Sequence, residues 1–295
     1  MDKLILKGCG TALVTPFTEA GEVDYDAYAA LVDSQVGGGV DFLVALATTG
    51  ETPTLSAEEK TRLLRITKER CAGLPVVVGC GSNSVGATLA NMDLLAPLGP
   101  DAWLVVVPFY NKPTQEGQYL YFKKIASSTD LPVVIYNVPG RTGANMSAQT
   151  CQRLACEVDN IIATKEASGK FDQVAEILKG APEGFSVLSG DDDMTRSIME
   201  IGAAGVISVA SNVAPGKVSA MTRAALEGRW EEARELDATL SELFRACFVE
   251  SNPIPVKAAL ELLGFMKRDV RLPLTPATPQ TVQTMTQTLK NIGIL

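Results

Sequence analysis

The chain has 295 residues, nearly half of them apolar, a formal charge of −8 and no histidine. No apolar run reaches the roughly 18 residues of a membrane-spanning helix, and no basic block offers nucleic acid a phosphate-binding surface. Without histidine, His-dependent triads and most zinc hydrolase schemes are excluded, and acid–base work falls to Lys, Tyr, Thr, Cys or carboxylates.

The opening Met1-Asp2-Lys3-Leu4-Ile5-Leu6-Lys7 lacks the long apolar region and small-residue cleavage site of a signal peptide, so a cytoplasmic protein is expected. The cysteines (Cys9, Cys71, Cys80, Cys151, Cys156, Cys247) show no CxxC spacing and read as reduced core residues.

In chain order, a short apolar run followed by an amphipathic stretch recurs. The runs are Gly10–Val14, Asp41–Leu46, Pro75–Gly79, Ala102–Val107, Pro132–Tyr136, Asn160–Lys165, Phe185–Ser189 and Gly205–Ser208. They are rich in Val, Ile and Leu rather than alternating, as parallel strands buried on both faces require. Ser56-Ala57-Glu58-Glu59 has the form of a capping box, Ser147 suits an N-cap, and Thr114, after Pro113, opens another helix. This alternation over residues 1–228 predicts an α/β chain folded as a (β/α)8 TIM barrel, with a doubly wound sheet as the rival. Across 229–295 the strands stop. Trp230–Phe248, Pro255–Leu263 and Pro279–Asn291 read there as a C-terminal helical appendage.

In a barrel, function collects where strands end. The second run ends in Ala47-Thr48-Thr49-Gly50-Glu51, whose hydroxyls and backbone can meet a carboxylate or form an ordinary polar turn. The fourth ends in Pro108-Phe109-Tyr110-Asn111 and the fifth in Tyr136-Asn137-Val138-Pro139-Gly140-Arg141. Each tyrosine offers a phenol for proton transfer or simply sits at the rim, and Arg141 can clamp a carboxylate. The sixth, Asn160-Ile161-Ile162-Ala163-Thr164-Lys165, ends on a lysine. An amine held there partly out of water has its charged form disfavoured and suits a Schiff-base nucleophile. The other reading is a strand-end lysine paired with Glu166. After the seventh come Ser189-Gly190-Asp191-Asp192-Asp193, where capping of the next helix is preferred over a divalent metal. Gly79-Cys80-Gly81-Ser82-Asn83-Ser84 misses the dinucleotide fingerprint by its third glycine.

Together, TTGE at Thr48–Glu51, the YNVPGRTG run from Tyr136, KEASG from Lys165 and SGDD from Ser189 resemble the dihydrodipicolinate synthase family. That family lies within the class I pyruvate aldolases, with N-acetylneuraminate lyase. The resemblance runs nearly end to end, from Gly10-Thr11-Ala12-Leu13-Val14-Thr15-Pro16-Phe17 through Asn252-Pro253-Ile254-Pro255-Val256-Lys257. It implies that Lys165 forms a Schiff base with pyruvate, that Tyr136 passes protons, and that Thr48 links it to a second tyrosine, Tyr110, lent by a neighbouring subunit. It implies further that Thr49 meets the pyruvate carboxylate and Arg141 the carboxylate of L-aspartate 4-semialdehyde. The carbonyl of Ile207 would lie near the lysine, and Gly190 belongs with the substrate-binding group.

The implied reaction is the first committed step of the diaminopimelate and lysine pathway. It uses no cofactor beyond the covalent pyruvate imine on Lys165 and no metal, and the implied assembly is a homotetramer of tight dimers. A sialic acid or 2-keto-3-deoxy sugar acid lyase is the alternative within the superfamily, although those enzymes usually lack arginine in the loop after the fifth strand. A non-catalytic pyruvate-binding barrel is the alternative outside it. The sequence departs from the family pattern at Ala47, usually glycine, and at Phe109, often tyrosine; in lysine-inhibited members that position and the neighbours matching Ala87 and Glu59 often carry polar groups that bind lysine at the dimer interface. With Asn83 retained but no hydroxyl at Phe109 and no carboxylate at Ala87, weak or absent inhibition by L-lysine is expected.

Overall fold

The computed structural model describes residues 4–295, so Met1–Lys3 of the N-terminal stretch discussed above lie outside the described residues. Eight parallel strands close into one barrel: β1 (Gly8–Ala12), β2 (Phe42–Ala45), β3 (Val76–Gly79), β4 (Ala102–Val106), β5 (Val133–Asn137), β6 (Ile161–Glu166), β7 (Ser186–Ser189) and β8 (Gly205–Ser208). β1 pairs with both β2 and β8, which completes the ring and rules out the doubly wound sheet.

Around it run α1 (Tyr25–Gly37), α2 (Ala57–Arg70), α3 (Val85–Leu95), α4 (Gln115–Ala126), the short α5 (Pro139–Thr142), α6 (Ala148–Glu157), α7 (Phe171–Gly180), α8 (Thr195–Met199) and α9 (Pro215–Leu226). Three further helices follow: α10 (Trp230–Ala246), α11 (Ile254–Leu262) and α12 (Pro279–Asn291). Their starts follow local chemistry. Ser56 and Glu59 exchange both capping-box bonds at α2, while Thr114 and Ser147 cap α4 and α6 through their hydroxyls. The first strand begins two residues earlier than its apolar pattern suggests, because Gly8 pairs with Gly205 where neither carries a side chain to keep the backbones apart.

Strand parity divides the core. Ala12, Phe42, Val44, Val77, Ala102, Leu104, Val134, Tyr136, Leu188 and Ile207 pack together in the lumen. Their strand neighbours, such as Leu43, Val78, Val105, Ile135 and Val187, pack outward against the helices. Burying each large aliphatic side chain is worth about 1.5–3 kcal/mol, and here both faces of every strand contribute. The lumen is filled rather than open: the Phe42 ring occupies the space a Cβ on Gly10 would need.

Five of the six cysteines are buried and Cys156 is exposed; all are free thiols. Among the described residues no helix is long and apolar enough to cross a membrane.

One close approach shapes the upper rim. Leu46 leaves β2 with φ of 55°, and its carbonyl oxygen lies 2.1 Å from where a Gly79 Cβ would sit. The obstacle is backbone and cannot swing aside. Gly79→Ala is expected to lower stability by about 3 kcal/mol, the upper end for overpacking. A urea titration reads it as a lower midpoint.

Candidate active site

The site assembles from the parity of two adjacent strands. In β5 and β6 the Cα of Tyr136 is paired with that of Lys165, each one residue before its strand ends. Tyr136 belongs to the lumen set, so its register partner Lys165 also faces inward, at the C-terminal mouth. Lys165 is only 4% exposed, and its Nζ lies 4.5 Å from the centroid of the Tyr136 ring. Among the described residues no ion pair involves Lys165.

Glu166 has the opposite parity and a separate function. Its carboxylate accepts from Asn137 Nδ2 at 3.1 and 3.0 Å and from the Ser168 N–H at 3.0 Å. The Lys165–Glu166 pair is therefore not formed; the two side chains lie on opposite faces of one strand. Burial pushes the Glu166 carboxyl up, and the bonds from Ser168 and Asn137 oppose that. Asn137 in turn accepts the Met146 N–H at 3.0 Å and donates to Asn145 at 2.9 Å. The ends of β5 and β6 are thus braced from outside the barrel.

Thr48 and Thr49 lie in the tight turn Thr48–Gly50 that follows β2. The turn is held on its inner side by Thr15, whose hydroxyl donates to the Gly50 carbonyl at 2.7 Å, and by Thr52, which donates to the Ala47 carbonyl at 2.9 Å. Thr49 is buried, and its hydroxyl accepts from Asn252 Nδ2 at 3.0 Å. Arg141, exposed on α5, donates through Nη2 to the Asn252 backbone carbonyl at 3.3 Å. Asn252 thus joins the two residues expected to hold carboxylates, and its own Oδ1 is buried without a partner.

Ile207 is buried in the lumen wall on β8. Gly190 follows β7, donating its N–H to the Glu166 carbonyl at 2.7 Å. A Cβ on Gly190 would fall 2.4 Å from that of Ala167. Tyr110 does not join the others within one chain. It sits beyond β4 with φ of 73° and 87% of its surface exposed, beside the exposed Phe109.

The aspartates do something other than cap the next helix. Neither the 3-10 turn Asp192–Met194 nor α8 receives a side-chain cap. The buried Asp192 instead crosses to the turn after β8, accepting from the Val209 and Ala210 N–H groups, each at 3.0 Å, and from the Ser208 hydroxyl. Those donors are unpaired backbone groups at a turn start, which is why a carboxylate settles there. Asp191 stays near the mouth: burial, aided by the Asp193 charge, pushes its carboxyl up to about 6 against the pull of Lys165. Among the described residues no group of three or more Cys, Asp or Glu side chains could hold a metal ion.

Residues from the C-terminal region were missing from the expected site. Lys257 on α11 is fully buried, and its Nζ pairs with Glu51 Oε1 at 2.7 Å. Burial pulls the Lys257 ammonium down to about 8, while Glu51 acts to raise it. The backbone N–H of Arg271 donates to the other Glu51 oxygen at 3.0 Å. The available signal was a lysine set inside the apolar run Ile254–Leu260.

The model of the dihydrodipicolinate synthetase family matches residues 5–292. The chain is 46% identical over 295 residues to the 4-hydroxy-tetrahydrodipicolinate synthase of Parabacteroides distasonis, covering 100% of this chain and 99% of that one. It is 49% identical over 293 residues to the synthase of the same name from Phocaeicola vulgatus, covering 98% of each. The crystal structure of dihydrodipicolinate synthase from Thermotoga maritima superposes with a TM-score of 0.97 at 44% identity, covering 99% of this chain and 100% of that one.

The raised Asp191 carboxyl has a stability consequence. Its folded pKa of about 6 exceeds the ordinary 3.8, so the ionised form costs stability above pH 6. The cost is at most about 3 kcal/mol, fades as pH falls through 6, and is gone below 3.8. Asp191→Asn is expected to raise the thermal midpoint at pH 8 and to leave it unchanged at pH 3. A midpoint at pH 8 equal to or below that of the parent would contradict this assignment.

Proposed function

The chain belongs to the dihydrodipicolinate synthetase family, and from that premise we propose that Lys165 is the amine through which it works. Its activity is that of a 4-hydroxy-tetrahydrodipicolinate synthase, condensing pyruvate with L-aspartate 4-semialdehyde. The observation that carries the assignment of the amine is the register pairing of Tyr136 with Lys165, both directed into the barrel mouth.

In this reading the Lys165 amine adds to the ketone carbon of pyruvate, and loss of water leaves an iminium. The iminium draws electrons from the methyl group, which loses a proton to give an enamine carbon. That carbon attacks the aldehyde of the semialdehyde. The semialdehyde's own amine then displaces Lys165 by transimination, closing a six-membered ring and freeing the lysine. Tyr136 moves protons as the imine forms and breaks, with Thr48 linking it to Tyr110. Thr49 and the adjacent backbone take the pyruvate carboxylate. Arg141 takes that of the semialdehyde, with Gly190 and the Ile207 carbonyl lining the remainder. The covalent imine is the only cofactor-like species in this scheme.

The exposure of Tyr110 supports an assembly in which it completes a neighbour's site: its phenol is 87% exposed on a residue with φ of 73°. Tight dimers, paired into a homotetramer in the cytoplasm, are the corresponding proposal. Residues 1–228 form the catalytic barrel in this division and 229–295 the helical region.

Inhibition by L-lysine is proposed to be weak or absent. Phe109 offers no hydroxyl and Ala87 no carboxylate, and the Glu59 carboxylate is already engaged by Arg271 at 2.9 and 2.6 Å and by the Ser56 N–H at 2.8 Å. Half-inhibition is expected to need more than millimolar L-lysine in a steady-state assay; half-inhibition at submillimolar lysine would overturn this.

Borohydride reduction with pyruvate is expected to leave a pyruvate-derived adduct on Lys165, located by peptide mass spectrometry. Tyr136→Phe keeps the ring beside Nζ, and it is expected to lower kcat by about 10²- to 10⁴-fold. An adduct on another lysine, or full activity in Tyr136→Phe, would overturn the assignment.

A further inference from the structure

The turn that carries Thr48 and Thr49 ends at Glu51, whose φ of 51° and ψ of 33° lie in the left-handed region. A non-glycine residue pays strain there and stays only where its surroundings over-determine it. Here both carboxylate oxygens are taken, one by the Lys257 ammonium at 2.7 Å and the other by the Arg271 N–H at 3.0 Å. The partners lie more than 200 residues away, in α11 and the segment before α12.

The same segment grips the surroundings of the turn. The Arg271 guanidinium donates to the Thr54 and Gly21 carbonyls, each at 2.9 Å, and to both oxygens of Glu59. Lys257 Nζ lies 4.2 Å and Arg271 Cζ 4.4 Å from the centroid of the Phe17 ring. Asn252, five residues before Lys257, holds the Thr49 hydroxyl. Lys257 itself reaches no substrate, being fully buried behind Glu51.

We propose that Lys257, through its buried pair with Glu51, is a positioning residue that sets the Thr48–Thr49 turn for the pyruvate carboxylate. This rests on the reading of Thr49 as the carboxylate site. Removing either charge leaves the other buried without its ionic partner, a situation the turn relieves by moving. A displacement of the order of an ångström at a binding group is enough to weaken capture strongly. Arg141 binds the other substrate from α5 and touches the tail through the Asn252 carbonyl rather than through Glu51 or Lys257, so the larger loss falls on pyruvate.

The test compares the full-length parent with Lys257→Met, Glu51→Gln and the double variant. Readouts are kcat, both KM values and the pyruvate concentration giving half-maximal borohydride trapping at Lys165. Each single variant is expected to raise the pyruvate KM and the trapping midpoint by about ten- to hundredfold. The semialdehyde KM should move by less than about threefold, and the double variant should be no worse than the poorer single one, as coupled partners require. Should Lys257→Met fail to fold, Glu51→Gln carries the test, since the amide keeps the side chain's shape and an oxygen for Arg271. Folded variants with the parent's pyruvate dependence, or with both KM values raised equally, overturn the inference. If the parent gives no adduct on Lys165, the reading of the site fails and this inference falls with it. An adduct in the parent with unchanged variants removes the positioning role alone.

Discussion

The fold and the chemistry both depend on the two-residue period of β6. Ala163 faces the lumen, so Lys165 does too, and the intervening Thr164 and the terminal Glu166 face the helices. A parallel barrel gives every strand the same direction, so an inward residue near the end of any strand projects into the same mouth. Lys165 and Tyr136 need no special loop to meet. They meet because their strands are neighbours and their Cα atoms are paired. The register irregularity between Val133 and Val134 sits at the far end of the same pair, where Ile161 and then Ala163 align with consecutive residues of β5. Without that shift the parity of Lys165 relative to Tyr136 would differ by one residue, and one side chain would point into the helices.

An amine-bearing side chain in a packed lumen needs rigid surroundings, and these are polar as well as apolar. Outside the strand ends, Asn137 and Glu166 form a buried network with Ser168, Asn145 and Met146. Its members face away from the mouth, so they fix the backbone at Tyr136 and Lys165 without occupying space near the amine. Asp192 acts similarly at β7 and β8, tying the turn after Ser208 to the turn after Ser189. Each is a case of a buried acceptor matched by backbone donors that would otherwise go unpaired.

Much of this was legible in the sequence because it is local. Apolar runs of four to six residues, capping residues and a lysine at a run's end are all read within a short window, and the strand order follows from chain order in a singly wound barrel. The limits of β1 were not, because its extension rests on Gly8 meeting Gly205 across the closing seam. The partner of Asp192 was not, because nearby capping is the default expectation for Ser-Gly-Asp-Asp and the actual donors lie in the next βα unit. The largest omission was the tail. Nothing in the composition of α11 says that its lysine meets Glu51, since helices that follow a complete barrel have no positional rule like that governing strand ends.

That tail changes how the barrel is best understood. Residues 229–295 follow a ring that is already closed, yet Asn252, Lys257 and Arg271 reach back to Thr49, Glu51 and Glu59 at the mouth. A buried ion pair is a poor source of net stability, because desolvation offsets most of the attraction. Its value is geometric: with one oxygen of Glu51 on an ammonium and the other on a backbone N–H, few conformations of the turn satisfy both. An apolar pair of equal volume would pack as well but would leave the turn free to choose among several backbone states. Within the barrel the turn that presents Thr48 and Thr49 is held by its own backbone bonds, by Thr52 and by Thr15, none of which engages the left-handed Glu51 side chain, so the setting of that residue comes from elsewhere. The tail supplies it through Glu51, and among the described residues none of its hydrogen bonds or ion pairs involves Lys165.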